Sequence, residues 1–149
     1  MSEVSRTTRV GDVGEHVLIA EITRRLGQGQ SALVGIGDDA AVISLSEPSV
    51  AVSTDVLVQD RHFRLSWSTA ADIGHRVAGA NLADVAAMGA MPTCLVVGLV
   101  LPPDTEVGWV LDFLDGLAAE CEGIGASVVG GDLASGDTIM ISATALGDL

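Results

Sequence analysis

Two long helical patterns alternate with apolar, β-branched segments between residues 69 and 146, and this alternation limits the chain to an α/β fold. The helical patterns cover 69–88, which ends before Gly89, and 105–122. The apolar segments predict strands at 93–101, 127–129 and 138–146. Helices and strands do not follow each other as regular βαβ units. We therefore expect an α/β (α+β) sandwich in which a mixed or antiparallel sheet has its helices on one face.

The first third of the chain gives weaker patterns. Residues 1–13 are polar and predict a flexible N-terminal segment unless it docks elsewhere. A short amphipathic helix is predicted at 14–26, and a strand that ends in polar residues at 50–55. Between them, a Gly-rich loop at 33–44 runs into a short strand. No linker or internal repeat divides the remainder, so 14–149 is predicted to be one domain.

The charged residues are distributed unevenly along the chain. All seven cations are arginines, the last is Arg76, and ten carboxylates follow it, within a formal net charge of −13. Without lysine, the chain has neither a Walker-type phosphate loop nor a lysine nucleophile. The acidic balance also argues against nucleic-acid binding through a basic face. If the protein handles phosphates, metal ions or another part of the molecule must supply the positive charge.

The cysteines and the hydropathy indicate where the protein works. Cys94 and Cys121 are isolated and predict buried thiols in a reduced, cytoplasmic protein. No charged-then-apolar leader opens the chain, and no apolar run reaches about 18 residues. Neither export nor a membrane span is therefore predicted.

Two groups of acidic residues in the first half of the chain occupy positions that are not explained by an ordinary solvent-exposed surface. In Asp38-Asp39 of the Gly-rich loop, adjacent like charges repel and a cation would relieve them, with a turn and an Asx cap as the alternative. A dinucleotide fingerprint is rejected for this loop, because two carboxylates would face the pyrophosphate and no helix follows. Asp55 closes a strand after Ser53 and Thr54, and this hard-oxygen cluster suits Mg²⁺ or is an ordinary polar strand end.

Two further carboxylates follow in the second half. Helical periodicity places Asp84 on an apolar stripe with Val77 and Met88, where a carboxylate is costly to bury unless a cation, an arginine or backbone donors receive it. Asp132 directly follows Gly130-Gly131, which would let a phosphate approach the backbone or would simply form a glycine turn. Taken together, these positions favour Mg²⁺-dependent phosphate chemistry.

Five motifs occur in the order and spacing of a known family. They are Gly35-Ile-Gly-Asp-Asp-Ala-Ala-Val42, Ser53-Thr-Asp-Val-Leu-Val58, His62-Phe63, Asn81-Leu-Ala-Asp-Val-Ala-Ala-Met-Gly-Ala90 and Gly130-Gly-Asp132. Together they resemble the N-terminal half of the thiamine-monophosphate kinases, a branch of the aminoimidazole ribonucleotide synthetase superfamily. On this resemblance, 14–149 would be a synthetase-like N-terminal domain that binds ATP and magnesium.

The resemblance implies transfer of the ATP γ-phosphate to thiamine monophosphate, giving thiamine diphosphate, with several Mg²⁺ ions between the two substrates. Carried over by motif, the metal ligands would be Asp39, Ser53, Thr54, Asp55, Asp84 and Asp132. Gly131 and Asp132 would border the ATP phosphates, and His62 would contact thiamine monophosphate. No residue would form a covalent intermediate. The family also implies a homodimer joined through the N-terminal sheets, which form a shared barrel-like core.

Two features depart from the family pattern. Asp60 and Arg61 occupy the turn before His62, where relatives often have glycine and a small residue. Family enzymes also have a second domain that these 149 residues lack, so little or no kinase turnover is expected from this chain alone. Two other functions stay open at this point: another ATP-dependent synthetase of the superfamily, or a non-catalytic acidic dimerisation module.

Overall fold

Three α-helices and six strands form the part of the chain described by a computed structural model, which covers residues 4–27, 29–37 and 40–149. The helices are α1 (Glu15–Leu26), α2 (Ala70–Ala87) and α3 (Val107–Glu122). The strands are β1 (Ala32–Val34), β2 (Val42–Ile43), β3 (Val50–Val58), β4 (Met91–Leu101), β5 (Ser127–Ser135) and β6 (Met140–Asp148). Within these ranges, none of the helices is long and apolar enough to cross a membrane.

The larger of two sheets has four strands in the order β3-β6-β4-β5. β6 pairs antiparallel with both β3 and β4, whereas β4 and β5 run parallel, so the sheet is mixed. The parallel pair is joined by α3, because two parallel neighbours need a crossover connection. α2 and α3 pack against each other and share one core with the sheet. The predicted α/β sandwich with helices on one face is confirmed.

The two faces of this sheet differ in burial because side chains alternate along each strand. On β6, Ile141, Ala143 and Ala145 belong to the core and are fully buried. The other face, called the open face, presents the alternate residues, such as Thr144 of β6 and Val56 of β3, which is 48% exposed. The core therefore lies between the sheet and the two long helices.

Helix α2 has clear signals at both ends. At its start, the Asp72 amide donates to Thr69 Oγ1 (3.2 Å) and the Thr69 amide donates to the Asp72 carboxylate (2.9 Å), which is a capping box. At its end, Gly89 adopts φ 83°, a left-handed conformation that glycine tolerates. The helix predicted at 69–88 is therefore confirmed, with Thr69 as its N-cap.

α2 and α3 approach closely because each has a glycine at the contact. A Cβ atom at Gly74 would lie 2.1 Å from the Phe113 carbonyl oxygen. A Cβ atom at Gly116 would lie 2.1 Å from the Ala71 carbonyl oxygen. No side chain fits at either position, so the two helix backbones pack directly against each other.

Three strands extend past their predicted limits because backbone pairing continues past the apolar residues, and β6 (Met140–Asp148) lies two residues later than the predicted 138–146. β3 extends to Val58, three residues beyond the predicted strand end. β4 includes Pro92, which was expected to precede it. In β5, Gly130, Gly131 and Asp132 pair with β4 inside the strand instead of forming a turn after it. A strand that pairs with an apolar neighbouring strand can continue beyond the residue at which its own hydrophobicity predicts that it ends.

Residues 4–13 dock against the start of α3 rather than forming a flexible segment. The Val10 amide donates to the Thr105 carbonyl oxygen (2.8 Å), and the Gly108 amide donates to the Arg6 carbonyl oxygen (2.7 Å). Arg6 also forms an ion pair with Asp112 of α3 (2.5 Å). Backbone bonds hold this segment, and hydrophobic periodicity does not reveal such bonds. Residues 1–3 of the predicted segment lie outside the described residues.

Carboxylates on α3 contact arginine and histidine side chains from earlier in the chain, where periodicity alone predicts a solvated acidic face. Besides the Arg6–Asp112 pair, Asp115 accepts hydrogen bonds from Arg25 Nε (2.6 Å) and Nη2 (2.5 Å). Glu120 Oε2 lies 3.1 Å from Nδ1 of His75 on α2. Arginines of the first half thus neutralise part of the acidic second half.

We expect the free energy of unfolding to decrease at acid pH through two carboxylates. A hydrogen bond from Arg25 lowers the pKa of Asp115 below its ordinary 3.8, and a hydrogen bond from Thr69 lowers the pKa of Asp72 in the same direction. Such a group stabilises the fold above its unfolded pKa, and this stabilisation is lost as the pH falls through its folded pKa. Tm should therefore decrease below about pH 4.

Scanning calorimetry of the Asp115→Asn variant checks this expectation. The variant should lose less Tm between about pH 5 and pH 2 than the wild type, because it lacks one of the two groups. Asp137→Asn, in the exposed turn before β6, is the matched control and should follow the wild type. Identical acid profiles for Asp115→Asn and the wild type would contradict the expectation.

Both cysteines are free and buried, as predicted. Burial raises the pKa of the Cys121 thiol to about 12, and it also raises the pKa of Cys94. The thiolate is the reactive form of cysteine, so neither side chain is suited to nucleophilic or redox chemistry in the folded protein.

Candidate active site

The edge strand β3 and helix α2 bring a hydroxyl and a carboxylate together. Ser53 Oγ donates a hydrogen bond to Asp84 Oδ2 (3.4 Å). Asp55 lies two residues further along β3 on the same face of the sheet, and it is half-buried. It lies inside the strand, three residues before Val58, rather than at the strand end that the sequence predicts. Ser53, Asp55 and Asp84 are called the β3–α2 cluster.

Thr54 lies between Ser53 and Asp55 but on the open face of the sheet. Its hydroxyl donates to the Ala143 carbonyl oxygen (3.0 Å) and lies 2.9 Å from the Thr144 hydroxyl. The structure therefore does not bring the Thr54 hydroxyl together with the β3–α2 cluster. Its predicted role as a metal ligand stays a prediction.

Asp84 is exposed, so the expectation that it lies on the buried stripe of α2 is wrong. The buried face instead includes Val77, Asn81 and Val85, and Asn81 is 0% exposed. The sequence of α2 has small apolar residues on nearly all sides of the helix, so periodicity alone does not determine which face is buried. Its exposure leaves the Asp84 carboxylate accessible to a cation from solvent.

Asn81 is the buried polar residue of α2. Its Nδ2 donates to the Val77 carbonyl oxygen (2.8 Å). Its Oδ1 is buried without a hydrogen-bond partner among the described residues. A neutral amide at this position is tolerable, whereas a charge would have no counter-charge on the buried side of the helix.

His62 follows β3 in a turn that the backbone fixes. The Val58 amide donates to His62 Nδ1 (2.9 Å), so Nε2 is the ring nitrogen that can donate to a ligand. Arg76 of α2 donates from Nη1 to the His62 carbonyl oxygen (2.5 Å). Asp60, in the same turn, has φ 63°, a left-handed conformation in which glycine is favoured. β3 and α2 together therefore position an exposed imidazole.

β5 brings backbone and a carboxylate to the opposite edge of the sheet. Its register on β4 shifts by one residue at Val129, which forms a bulge. At Gly131, a Cβ atom would lie 1.9 Å from the Val97 carbonyl oxygen, so only glycine fits. Asp132 follows directly and is exposed. The predicted phosphate-binding residues thus lie in an edge strand with an accessible backbone.

A cavity of about 490 Å³ opens beside this part of β5. Helices α1 and α3 form two of its walls, and its apolar lining includes Ile19, Ile22 and Leu114. Gly131 and Asp132 lie in its wall as well. This volume and this mixture of apolar walls with a few polar groups are typical of small-molecule sites.

The predicted metal ligands form two groups at opposite edges of the sheet. β3 and β5 are separated by β6 and β4, which places them about 14 Å apart at the usual strand spacing. Asp132 therefore lies far from Asp84 within one copy of the chain. Asp39 lies outside the described residues. Within the described ranges, no group of three His, Cys, Asp or Glu side chains is placed to hold a metal ion.

Sequence reasoning missed two parts of this region. An exposed arginine on a helix gives no local signal of a functional role. The bond from Arg76 to the His62 carbonyl oxygen arises only when α2 packs beside the turn. The cavity was also missed, because its walls come from α1, α3 and β5, which only the tertiary fold brings together. The local signals for it are Gly130-Gly131 and the Gly-rich loop, whose Gly35, Gly37 and Ala40 also line the cavity.

The mixed sheet, its two long helices and the carboxylates at its edges define a class of protein. The chain belongs to the family of AIR synthase related proteins, whose N-terminal domain model matches residues 37–149. This range contains α2, α3 and the whole four-stranded sheet. The architecture and the candidate site thus belong to the same family unit.

Individual relatives point to one branch of this family. The thiamine-monophosphate kinase of Mycobacterium tuberculosis (strain H37Rv) is 44% identical over 137 residues, which cover 92% of this chain and 41% of that protein. The crystal structure of thiamine-monophosphate kinase from Stenotrophomonas maltophilia K279a matches with a TM-score of 0.75 at 34% identity, covering 92% of this chain and 43% of that one.

A third relative was solved with ligands. AaThiL complexed with AMPPCP and TMP matches with a TM-score of 0.65 at 34% identity, covering 96% of this chain and 44% of that one. The resemblance seen in the motifs is therefore confirmed. The chain spans about two-fifths of the length of these relatives.

Proposed function

We propose that the chain is the N-terminal part of a thiamine-monophosphate kinase, which transfers the γ-phosphate of ATP to thiamine monophosphate and releases thiamine diphosphate. The main support is the β3–α2 cluster and the Gly131-Asp132 pair within a fold shared with kinases of up to 44% identity. AaThiL was solved in complex with AMPPCP and TMP, which supports ATP and thiamine monophosphate as the ligands of the protein proposed here. Because the chain spans 41% of the M. tuberculosis enzyme, we expect little or no turnover from these 149 residues alone.

Magnesium fits the donor set of the β3–α2 cluster. Mg²⁺ prefers hard oxygen ligands and keeps several waters, so a few exposed side-chain oxygens can hold it. Asp55 and Asp84 take part in no ion pair among the described residues, which leaves their charge available. We propose Ser53, Asp55, Asp84 and Asp132 as ligands, with Asp39 and Thr54 completing the set that the family implies. Bound Mg²⁺ would neutralise charge that develops on the transferred phosphoryl group.

We place the nucleotide at β5. Gly131 and Asp132 are both exposed on an edge strand, so the strand backbone there can receive a polyphosphate, and Asp132 could hold a metal ion on the phosphates. The adjoining cavity of about 490 Å³, with its apolar walls from α1 and α3, is suited to the base. Binding of this kind catalyses by positioning and charge neutralisation, without a covalent enzyme intermediate.

We propose a homodimer through the four-stranded sheet. The open face exposes Val52 (59%), Val56 (48%) and Met140 (36%), and each edge strand has one side that pairs with no other described strand. Two such sheets that close into an eight-stranded barrel would bury the open faces and pair the edges. If β3 of one copy meets β5 of the other, the strand that carries Ser53 and Asp55 lies beside the strand that carries Asp132 of the second copy.

Magnesium-dependent stabilisation by ATP tests the proposed function. A ligand at 100 times its Kd stabilises the native state by about 2.7 kcal/mol, which raises Tm by several degrees. We expect this increase with ATP and MgCl₂, and none with ATP and EDTA. Asp84→Asn should abolish the increase, whereas the control Asp137→Asn should retain it.

Two outcomes would favour the other functions. An unchanged wild-type melting curve in millimolar Mg·ATP would favour a non-catalytic acidic module. A Tm increase with Mg·ATP that thiamine monophosphate does not extend would favour another ATP-dependent synthetase of the superfamily.

Light scattering tests the homodimer. A glutamate in place of Val52 or Val56 would put a charge inside the proposed barrel, so either variant should be monomeric at concentrations where the wild type is dimeric. Val42→Glu is the matched control, since Val42 is 49% exposed but lies in the separate β1–β2 sheet. A monomeric wild type, or dimeric Val52→Glu and Val56→Glu variants, would refute the sheet-mediated dimer.

We also propose that the protein works in the cytoplasm and does not bind nucleic acid. Two free, buried thiols suit a reducing compartment. A net charge of −13 would repel a phosphate backbone over most of the surface.

A further inference from the structure

We infer that residues 4–13 are a positioning element of the nucleotide site, because they hold α1 in place as a wall of the cavity beside β5. The inference rests on the proposed kinase function and on the placement of the base in that cavity. Residues 4–13 are called the 4–13 strap. None of these described residues lines the cavity of about 490 Å³, so the strap acts on the nucleotide only through α1.

The strap supplies hydrogen-bond acceptors to the start of α3. The first amides of a helix have no partner within the helix, and among the described residues the side chain of the N-cap residue Glu106 does not cap them. Instead, the Val107 amide donates to the Thr8 carbonyl oxygen (2.9 Å), and the Gly108 amide donates to the Arg6 carbonyl oxygen (2.7 Å). The strap is therefore bonded to α3 by its backbone, which fixes its position at that helix.

The strap and α1 share a second hydrophobic core, smaller than the main one and called the satellite core. Its buried side chains come from α1 and α3: Leu18, Val107 and Leu111. Partly buried side chains of the strap, α1 and β5 pack against them: Val4, Val10, Val13, Ile22 and Leu133. Of the α1 residues, all of which the structure describes, Leu18 alone has a buried apolar side chain. The main apolar contact of α1 therefore depends on the strap as well as on α3.

The same helix forms a wall of the cavity. The lining residues of α1 recur along one side of the helix and are Glu15, His16, Ile19, Ile22 and Leu26. Ile22 belongs to both regions, since it lines the cavity and packs against the satellite core. A movement of α1 that uncovers Leu18 therefore also displaces the cavity wall.

Different contacts hold the two ends of α1. Near its end, Arg25 Nε and Nη2 donate to the Asp115 carboxylate of α3 (2.6 Å and 2.5 Å). At its start, the N-cap residue Gly14 connects the helix directly to the strap and makes no side-chain cap. Loss of the strap should therefore release the first turns of α1, which carry His16 and Ile19, and leave its last turn on α3. The effect is local, because the four-stranded sheet does not include the strap.

This arrangement separates the two halves of the nucleotide. Under the proposed function, the polyphosphate lies at Gly131 and Asp132 of β5, whereas the base lies against α1. The strap should therefore contribute to the affinity for ATP. It should not contribute to the affinity for inorganic tripolyphosphate, which has three linked phosphates and no base.

Isothermal titration of the 149-residue chain with Mg·ATP and with Mg·tripolyphosphate tests this inference. In the wild type, we expect ATP to bind more tightly than tripolyphosphate, because the base buries apolar surface in the cavity. Val10→Asp puts a carboxylate against the satellite core, whose apolar side chains offer it no partner, and should detach the strap. This variant should bind Mg·ATP about tenfold more weakly, as expected when the base loses part of an apolar wall, and Mg·tripolyphosphate with unchanged affinity.

Thr7→Asp is the matched control for Val10→Asp. It introduces the same charge in the strap, but Thr7 is exposed, and its hydroxyl lies 3.1 Å from the hydroxyl of its neighbour Ser5. The control should bind both ligands as the wild type does. If Val10→Asp unfolds, deletion of residues 1–9 is the second variant, since it removes the strap carbonyls that bond α3 and adds no buried charge.

Hydrogen exchange shows where each variant differs from the wild type. Val10→Asp should lose amide protection in the first turns of α1, within residues 15–22, and keep it in α2 and the four-stranded sheet. Loss of protection throughout the protein would indicate general destabilisation, and the deletion variant then decides between the two explanations by the same measurements.

Four results would overturn the inference. Unchanged protection of α1 would show that the strap does not hold this helix. Equal losses for ATP and tripolyphosphate would show a structural effect without relation to the base, and unchanged ATP affinity with a released α1 would show that α1 does not contact the base. Equal affinity of the wild type for ATP and tripolyphosphate would place the base outside the cavity. Failure of the proposed function is distinct from these, because the wild type itself would then not bind Mg·ATP.

Discussion

Replacing Gly116 by alanine should lower the free energy of unfolding by about 3 kcal/mol or more, the upper range for an overpacked core. The new Cβ atom would lie 2.1 Å from the Ala71 carbonyl oxygen, and that oxygen belongs to the helix backbone and has no rotamer to adopt. α2 and α3 would have to move apart, which would open gaps among Ile73, Val77 and Phe113, all of which are at most 1% exposed. The loss should occur although alanine favours an isolated helix by about 1 kcal/mol over glycine.

Gly79→Ala is the matched control for this variant. Gly79 lies on α2, the helix that packs against Gly116, and its Cβ atom would approach only the Glu120 side chain, at 3.5 Å. Helix propensity should then dominate, and the variant should be as stable as the wild type or up to about 1 kcal/mol more stable. Urea denaturation measures both variants. Equal stability of Gly116→Ala and Gly79→Ala would show that the two helices are not in backbone contact.

Replacing Asn81 by aspartate should destabilise the protein by about 3 kcal/mol or more at neutral pH, although the two side chains have nearly the same shape. Asn81 is 0% exposed, and its Oδ1 has no partner among the described residues, so the new carboxylate would be buried without a donor or a cation. Burial would raise the folded pKa of the new carboxyl group above its unfolded value. The destabilisation should therefore grow as the pH rises and largely disappear near pH 4, where the group is neutral.

Asn81→Leu and Asp84→Asn complete this test. The leucine variant loses the bond to the Val77 carbonyl but also removes the unsatisfied oxygen, so we expect a change within about 1 kcal/mol. Asp84→Asn makes the complementary amide-for-acid change at an exposed position three residues later, and its effect should stay below about 0.5 kcal/mol. A pH-independent loss in Asn81→Asp would mean that water reaches this position and that the burial of Asn81 is incomplete.

The two long helices and the apolar strands were predictable because their signals are local. The capping box at Thr69 and Asp72 and the left-handed Gly89 set the limits of α2, and neither depends on tertiary contacts. Strand limits were less accurate, since Gly130, Gly131 and Asp132 join β5 only through hydrogen bonds to β4. Local hydrophobicity contains no information about such a partner strand.

The candidate site was predictable as a set of residues but not as an arrangement. Helical periodicity put Asp84 on the buried side of α2, whereas the tertiary fold buries Asn81 and leaves Asp84 exposed. Strand alternation separates the Thr54 hydroxyl from its neighbours, and the strand order moves Asp132 to the far edge of the sheet. The positions of these side chains depend on which helices and strands become neighbours in the tertiary fold. A sequence motif identifies the residues but does not identify the neighbouring elements.

The position of β6 between β3 and β4 has a consequence for synthesis on the ribosome. β6 is the last of the described strands, yet it pairs with both of them, and β3 has no other partner among the described strands of this sheet. The nascent chain therefore cannot assemble the sheet until residue 148 has left the exit tunnel, and until then β3 and β4 expose unpaired edges. Assembly of this sheet therefore waits for a central strand that is synthesised after its neighbours, and chaperone protection during translation should matter more for it than for sheets built from local pairings.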